Sequence, residues 1–367
     1  MIFVLPTFVP DENYHAARAY QISEGQVIVK ISENGETNTY VPEDLEKASI
    51  GAIEKYSDLY YQIKNKTDYS KQKEVYTATQ SSPAILYTFS SIGFFLARTF
   101  KVNIVIAMYI ARMFNLIFSL ILGYYSVKLI PFGKRILIIY MFTPMYFQQQ
   151  SSISYDCVVN AVTIFFISYS LYLIYRKEKI SLIEQLLIYA LIIVIAISKY
   201  VYIPLIGLLF LLTKNESISK RTKIVIISLS IALAIIFSSS SYIFSSRYVD
   251  ERTYINEMNI DPTLQLINII KNPFKIIKII LNSVNEDGIY YIATFFGSSL
   301  GWLNIEINHI IIYSFAVIFF VLLFLEEKNI ELELKELTLF VLIFTLVTIL
   351  IIMGLYLGWS PVGGIKL

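Results

Sequence analysis

Pro10-Asp11-Glu12-Asn13-Tyr14-His15 sets two acids and an imidazole directly behind an apolar stub, Met1–Val9. Proline followed by acids is a favourable helix opening, because carboxylates complement the positive N-terminal end of a helix. On such a helix Asp11, His15 and Arg18 recur at i, i+4 and i+7 and share one face. An acid, an imidazole and a guanidinium in a row can deprotonate a hydroxyl and hold a phosphate. The same residues also suit an ordinary capped loop helix with a solvated face, since acids are common at helix starts.

Three further groups could join that chemistry. Ser154-Tyr155-Asp156 lies at the mouth of two apolar runs, where an acid must face water or a partner. Ser154 and Asp156 are equally good helix caps. Arg112 falls inside the apolar run 104–130 and needs a counter-charge, which Asp11, Glu12 or a lipid phosphate can supply, or it must snorkel to the surface. Lys199, followed by Tyr202 and Pro204, is the second cation available to a phosphate, with snorkelling again the plainer alternative. Arg247, Asp250, Glu251 and Arg252 read as a solvated loop, and Tyr20, Tyr40, Tyr56, Trp302 and Trp359 as interfacial aromatics rather than a sugar platform.

The elements that must position these residues are set by composition. Of 367 residues 56% are hydrophobic and 16% charged, with a mean hydropathy of +0.61, which marks an integral membrane protein. A net charge of +2 without a basic, aromatic-interleaved stripe excludes nucleic acid as a partner. The single cysteine, Cys157, excludes an internal disulfide framework, and two histidines argue against a histidine-based metal site.

Apolar runs fall at 84–99, 104–130, 136–150, 157–175, 181–198, 200–213, 224–244, 309–325 and 337–357. Basic islands at Lys128–Arg135, Arg176–Lys179 and Lys214–Lys223 alternate with pairs of these runs and mark cytoplasmic loops. Taking 84–99 as a non-spanning interfacial or re-entrant segment keeps the alternation consistent. The expected fold is an all-α polytopic bundle of about eight spans with a large first extracytoplasmic loop. Residues 1–9 then read as the remnant of a first membrane helix, since nine residues rise only about 13 Å. Residues 10–103 form the extracytoplasmic loop region, with short helices and a hairpin near Asn34-Gly35. Residues 104–244 hold the core helices, 245–308 a second outer loop and 309–367 the C-terminal helices. Within 245–308, Leu264–Asn282 spaces Lys271, Lys275 and Lys278 as a basic amphipathic helix at the interface, suited to lipid phosphates.

The ordered set Pro10-Asp11-Glu12, Arg18-Ala19-Tyr20-Gln21, Ser82-Pro83, Ala111-Arg112, Ser152-Ile153-Ser154-Tyr155-Asp156, Lys199-Tyr200-Val201-Tyr202-Ile203-Pro204, Gly301-Trp302-Leu303 and Trp359-Ser360-Pro361-Val362-Gly363 resembles a family of bacterial membrane proteins of unknown function. That family is assigned to the GT-C glycosyltransferase superfamily. The resemblance implies transfer of a sugar from a polyprenyl-phosphate carrier to an envelope glycan or other hydroxyl acceptor, at a bacterial cell membrane, with inversion. It implies Asp11 as general base, Glu12 in support, and Asp156 orienting donor or acceptor. Arg112 and Lys199 would neutralise the leaving lipid phosphate, and His15, Arg18, Tyr155 and Tyr202 would complete the substrate contacts. No cofactor is expected, because Asp11-Glu12 lacks the spaced acidic pair of metal-dependent members. Beside that pattern the chain reads as clipped at both ends. A transporter or flippase of lipid-linked glycans, or a non-catalytic membrane protein, is the competing expectation. A transporter would show internal repeats and charges near the bilayer midplane, whereas this sequence has no repeat and gathers its candidates on one side.

Overall fold

In hydrocarbon every backbone N–H and C=O must be satisfied within its own segment, so the long apolar runs fold as helices. The computed structural model describes residues 4–29, 39–49, 55–75, 79, 81–246, 259–326 and 330–364. The expected hairpin at Asn34-Gly35 and the charge cluster Arg247–Arg252 lie outside them. Helix α1 (Glu12–Ser23) is followed by a two-stranded antiparallel sheet of β1 (Thr39–Pro42) and β2 (Gln72–Val75). Between the strands come α2 (Glu43–Ser49) and α3 (Tyr56–Lys64). Ala16, Ala19 and Tyr20 of α1 pack with Val41, Leu45, Tyr87 and Phe94 in the same hydrophobic cluster that runs through the membrane helices. The amino-terminal region is thus seated on the bundle rather than separate from it.

Among the described residues four helices are long and apolar enough to cross a membrane: α5 (Ile104–Leu129), α8 (Asp156–Tyr175), α10 (Lys220–Ser245) and, numbered α14, Leu334–Trp359. Shorter apolar helices are Ala84–Thr99, which includes α4 (Thr88–Thr99), α9 (Leu182–Ser198), the 3₁₀ helix Tyr200–Lys214 and, numbered α13, His309–Leu325. Helix α8 is the centre of the bundle, 78% buried, whereas α14 is 6% buried and turns its surface to lipid.

Two expectations are corrected. Residues 136–150 do not form one helix. They break at Phe142-Thr143 into α6 (Lys134–Met141) and α7 (Pro144–Gln150), because Pro144 takes a first-turn position capped by Thr143. The pair still climbs back along α5: the Gly123 position abuts Met141, Ser119 donates to Gln150, and Asn115 donates to the Ser152 carbonyl. The stretch Leu264–Asn282 is likewise two helices, α11 (Pro262–Lys271) and α12 (Lys275–Phe295), because Pro273 keeps Asn272 out of the helical conformation.

The run 200–213, short for a crossing as an α-helix, winds instead as a 3₁₀ helix, Tyr200–Lys214. At about 2.0 Å per residue, the 15-residue 3₁₀ helix rises about 30 Å, the thickness of the hydrocarbon core. Helix α4 lies along the first half of α5, with Phe89 stacked on Phe118 at 3.9 Å between ring centres, and its 12 residues rise only about 18 Å. The contact is possible because position 93 is glycine: a Cβ there would stand 2.6 Å from the Ala111 backbone. Gly93→Val is therefore expected to lower stability by about 1–3 kcal/mol through overpacking, read as a fall in the midpoint of thermal unfolding in detergent.

Candidate functional site

The amino-terminal stub, α1, α5 and the α7–α8 connection converge on one ion pair. Glu12 and Arg112 are both fully buried. Arg112 Nε donates to Glu12 Oε1 at 2.7 Å, and its terminal nitrogens reach Glu12 Oε2 and the carbonyls of Val4 and Leu5. The Glu12 carboxylate also accepts from the backbone N–H of Thr7 at 2.9 Å and of Ile153 at 3.1 Å. Of the counter-charges expected for Arg112, Glu12 is the one found. Both charges are saturated inside the protein, so this pair is built to hold the chain and not to take up a phosphate.

Asp11 stands one residue away in the opposite environment. It is exposed and precedes the helix with φ 60°, a left-handed conformation that aspartate tolerates better than most residues. The single shared face expected for Asp11, His15 and Arg18 is corrected accordingly. The helix starts at Glu12, Asp11 turns outward, and His15 and Arg18 are buried in separate networks. Arg18 donates to Gln21 at 2.6 Å and to the carbonyls of Gln26 and Val27, so its guanidinium is occupied within the amino-terminal region.

His15 faces the cluster. Its Nδ1 meets the Tyr87 hydroxyl at 2.7 Å and its Nε2 the Ser154 hydroxyl at 3.3 Å, while its ring packs edge-on to Tyr155 at 5.2 Å. Burial lowers its pKa to about 4 against the opposing pull of Asp156 and Glu12. At neutral pH it is therefore a neutral hydrogen-bonding group and no phosphate counter-charge. Tyr155 carries the cluster onward: Lys199 Nζ lies 5.7 Å from its ring centre and 2.6 Å from Asp156 Oδ1. Asp11 and Tyr202 are both near enough to act electrostatically on the Tyr155 hydroxyl. Burial works against the charge of Lys199, but the adjacent Asp156 outweighs it and holds the ammonium above its ordinary value. Asp156 and Lys199 each keep about a third of their side chains exposed. Lys199 can hold this place because it sits in extended backbone between α9 and the 3₁₀ helix.

The structure thus brings together Asp11, His15, Tyr155, Asp156, Lys199 and Tyr202, sets Glu12 and Arg112 beneath them, and leaves Arg18 aside. It also adds Tyr87, which the sequence did not single out, and gives Gly301 and Trp302 partners the sequence did not show. Tyr87 had no motif to mark it. Trp302 donates to the Thr7 carbonyl at 3.1 Å, and the Gly301 N–H donates to Gln148 at 2.7 Å, so the turn between β3 (Ser299–Leu300) and β4 (Ile305–Glu306) folds over the stub. Gly297, at φ 89°, allows this approach, since a Cβ would meet the Met145 N–H and Pro144 at 2.8 Å. Among the described residues no group of three or more His, Cys, Asp and Glu side chains could hold a metal ion.

Residues 2–367 match the family described as "Predicted membrane protein (DUF2142)". The chain belongs to that family. No curated protein and no solved structure matches the chain. Membership therefore identifies a membrane protein, and the chemistry of this DUF2142 chain has to be argued from its site.

Two measurements test the site's physics. Glu12→Gln and Arg112→Met are each expected to cost about 3–5 kcal/mol, because each leaves a buried charge uncompensated, while Glu12→Leu combined with Arg112→Met should cost clearly less than their sum. Thermal unfolding of the four proteins reads this directly. For His15 the folded pKa lies below the unfolded one, so the unfolded chain binds the extra proton between them. Stability is then complete above about pH 6.5 and falls as the pH drops towards 4, by up to about 3 kcal/mol. His15→Gln should remove that slope from the pH dependence of unfolding.

Proposed function

We propose that this protein is an inverting glycosyltransferase that moves a sugar from a polyprenyl-phosphate donor to a hydroxyl acceptor on the outer face of a bacterial membrane. The observation that carries the reading is the division between adjacent acids: Glu12 is saturated and buried, while Asp11 is exposed and near enough to act electrostatically on Tyr155, whose ring borders the Asp156–Lys199 pair. A base near a hydroxyl acceptor and a cation near a leaving phosphate are the two groups such a transfer needs. Asp11 takes the acceptor proton as the hydroxyl oxygen attacks the anomeric carbon. The bond to the lipid phosphate breaks, and Lys199 steadies the departing phosphate oxygen. One base acting from the face opposite the leaving group gives inversion. Asp156 holds Lys199 in place until phosphate competes for it, and Tyr155 and Tyr202 border the space between them.

The same reading assigns the sides of the bundle. Lys128, Lys134, Arg135, Arg176, Lys177 and Lys179 gather at the end opposite the site, which makes that end cytoplasmic by the positive-inside rule. It also supports placing this protein with the GT-C superfamily, whose acidic motif follows a first membrane helix.

The test is transfer of labelled sugar from a polyprenyl-phosphate carrier in membranes. Asp11→Asn should fall by about 10²–10⁴-fold with unfolding unchanged, and Asp156→Asn and Lys199→Gln should also lose transfer. Normal transfer by both aspartate variants, with the parent active, would sink the catalytic assignment. Sidedness is read separately. Cysteines at Glu306 and Lys177, both exposed, should react with an impermeant thiol reagent from the outside and the inside respectively, while buried Cys157 stays silent.

A further inference from the structure

The elbow between α11 and α12 lies far in sequence from the cluster around Asp11, and its chemistry is different. Lys271 ends α11, Asn272-Pro273-Phe274 forms the bend, and Lys275 and Lys278 open α12. Lys275 and Lys278 line a cavity of about 390 Å³ together with Asn272, Phe274 and Ile279. Phe274 is 77% exposed and Ile270 70% exposed on the same bend. Among the described residues none of the three lysines is paired with a carboxylate. The nearest acids on the same helix, Glu286 and Asp287, lie more than two turns beyond Lys278. Large apolar side chains and unpaired ammonium groups on one bend are an unfavourable surface in water and a favourable one at a lipid headgroup.

The depth of the elbow is fixed by α14. That helix has 26 residues and rises about 39 Å, so it spans the hydrocarbon and ends among the headgroups. At its Trp359 end, Gln265 of α11 donates to the carbonyls of Ser360 and Pro361 and accepts from the Gly363 N–H. Ile269 and Ile279, from the two arms of the elbow, pack on Tyr356, one turn before that end. Tyr356 and the exposed Trp359 are the aromatic types that mark the membrane interface. Lys275 and Lys278 open α12 just before Ile279, whose packing on Tyr356 brings this turn near the end of α14, where lipid phosphates lie.

We infer that the α11–α12 elbow is a binding site for the phosphate headgroup of an anionic phospholipid, held by Lys275 and Lys278, with Phe274 and Ile270 set among the acyl chains. Lys271 adds a third charge at the rim. The phosphodiester oxygens accept hydrogen bonds from the two ammonium groups, and the Asn272 amide is placed to give a further one. This site is separate from the proposed sugar-transfer chemistry and needs none of its residues.

The experiment purifies the full chain in neutral detergent, exposes it to phosphatidylglycerol or phosphatidylcholine, and counts retained lipids by native mass spectrometry. Phosphatidylglycerol should be retained in preference to phosphatidylcholine, and added salt should weaken the preference. Lys275→Gln with Lys278→Gln should weaken phosphatidylglycerol retention about tenfold, and Lys275→Arg with Lys278→Arg should preserve it. Lys335→Gln, an exposed lysine at the other end of α14, should change nothing. Equal retention of the two lipids overturns the inference, as does retention unaffected by the double glutamine variant. Displacement by inorganic phosphate at equal concentration would assign the site to free phosphate instead. Retention of polyprenyl phosphate with no retention of phosphatidylglycerol would assign it to the sugar carrier, again overturning the proposal. Because binding is read without turnover, the result is independent of the fate of Asp11→Asn.

Discussion

Every part of the outer end of this protein is tied to the pair Glu12–Arg112. Taking two charges out of water costs several kcal/mol each, and that cost is offset only if both are fully satisfied. Here they are: the carboxylate receives the guanidinium and two backbone N–H groups, and the guanidinium also receives two backbone carbonyls. Those backbone groups come from the stub at Val4, Leu5 and Thr7 and from the α7–α8 connection at Ile153. Four pieces of chain, distant in sequence, can satisfy the pair in one mutual arrangement. A hydrophobic contact of equal area would tolerate sliding, whereas these hydrogen bonds do not.

The pair also explains why two neighbouring acids have different environments. Drawing Glu12 inward as the first helical residue forces the preceding residue to reverse direction, and Asp11 does so with a positive φ. Strained backbone of this kind persists only where the surroundings over-determine it, and the anchored Thr7–Glu12 turn does so. The outcome is a carboxylate aimed away from the core at the rim of a buried, aromatic, neutral lining of Tyr87, His15 and Tyr155. Neutrality of His15 is part of the arrangement, because a buried imidazolium would repel the adjacent Lys199 and compete for Asp156.

Much of this was legible in the sequence, and the illegible parts share a cause. Apolar length marked the helices long enough to cross a membrane. The cost of a lone buried cation named Asp11, Glu12 or a lipid phosphate as partners for Arg112, with snorkelling as the alternative, and the structure chose Glu12. The face shared by Asp11, His15 and Arg18 was misread because helical spacing assumes that the helix already includes Asp11, and the ion pair moved its start by one residue. Pro144 and Pro273 were visible breakers inside runs taken as continuous, since apolar patterning outweighed the lost N–H. The 3₁₀ winding after Lys199 had no local signal beyond Pro204. Tyr87 had no signal in the sequence, and Trp302 was marked there without its partner, since the partners lie 72 and 295 positions away.

Between its ends the bundle is fixed by close packing and a few polar contacts, such as Gly93 against Ala111 and Ser119 with Gln150. Lipid tails are as apolar as leucine, so burial does not drive the middle of one span onto another, and packing and polar contacts decide. Helix α14 is the extreme case. Its lipid-facing length is held at one end by buried Glu336, which takes the Lys214 ammonium at 2.7 Å and the Tyr175 hydroxyl at 2.6 Å. At the other end it is held by Gln265 and the contacts of Tyr356 with the α11–α12 elbow. Besides the packing of Ile343 beside Gly207, these end contacts set the depth of the helix in the bilayer. The lysines of the elbow therefore act on the position of a whole span: a headgroup bound between them fixes one end of α14 against the membrane surface, while Lys214 fixes the other end against the bundle.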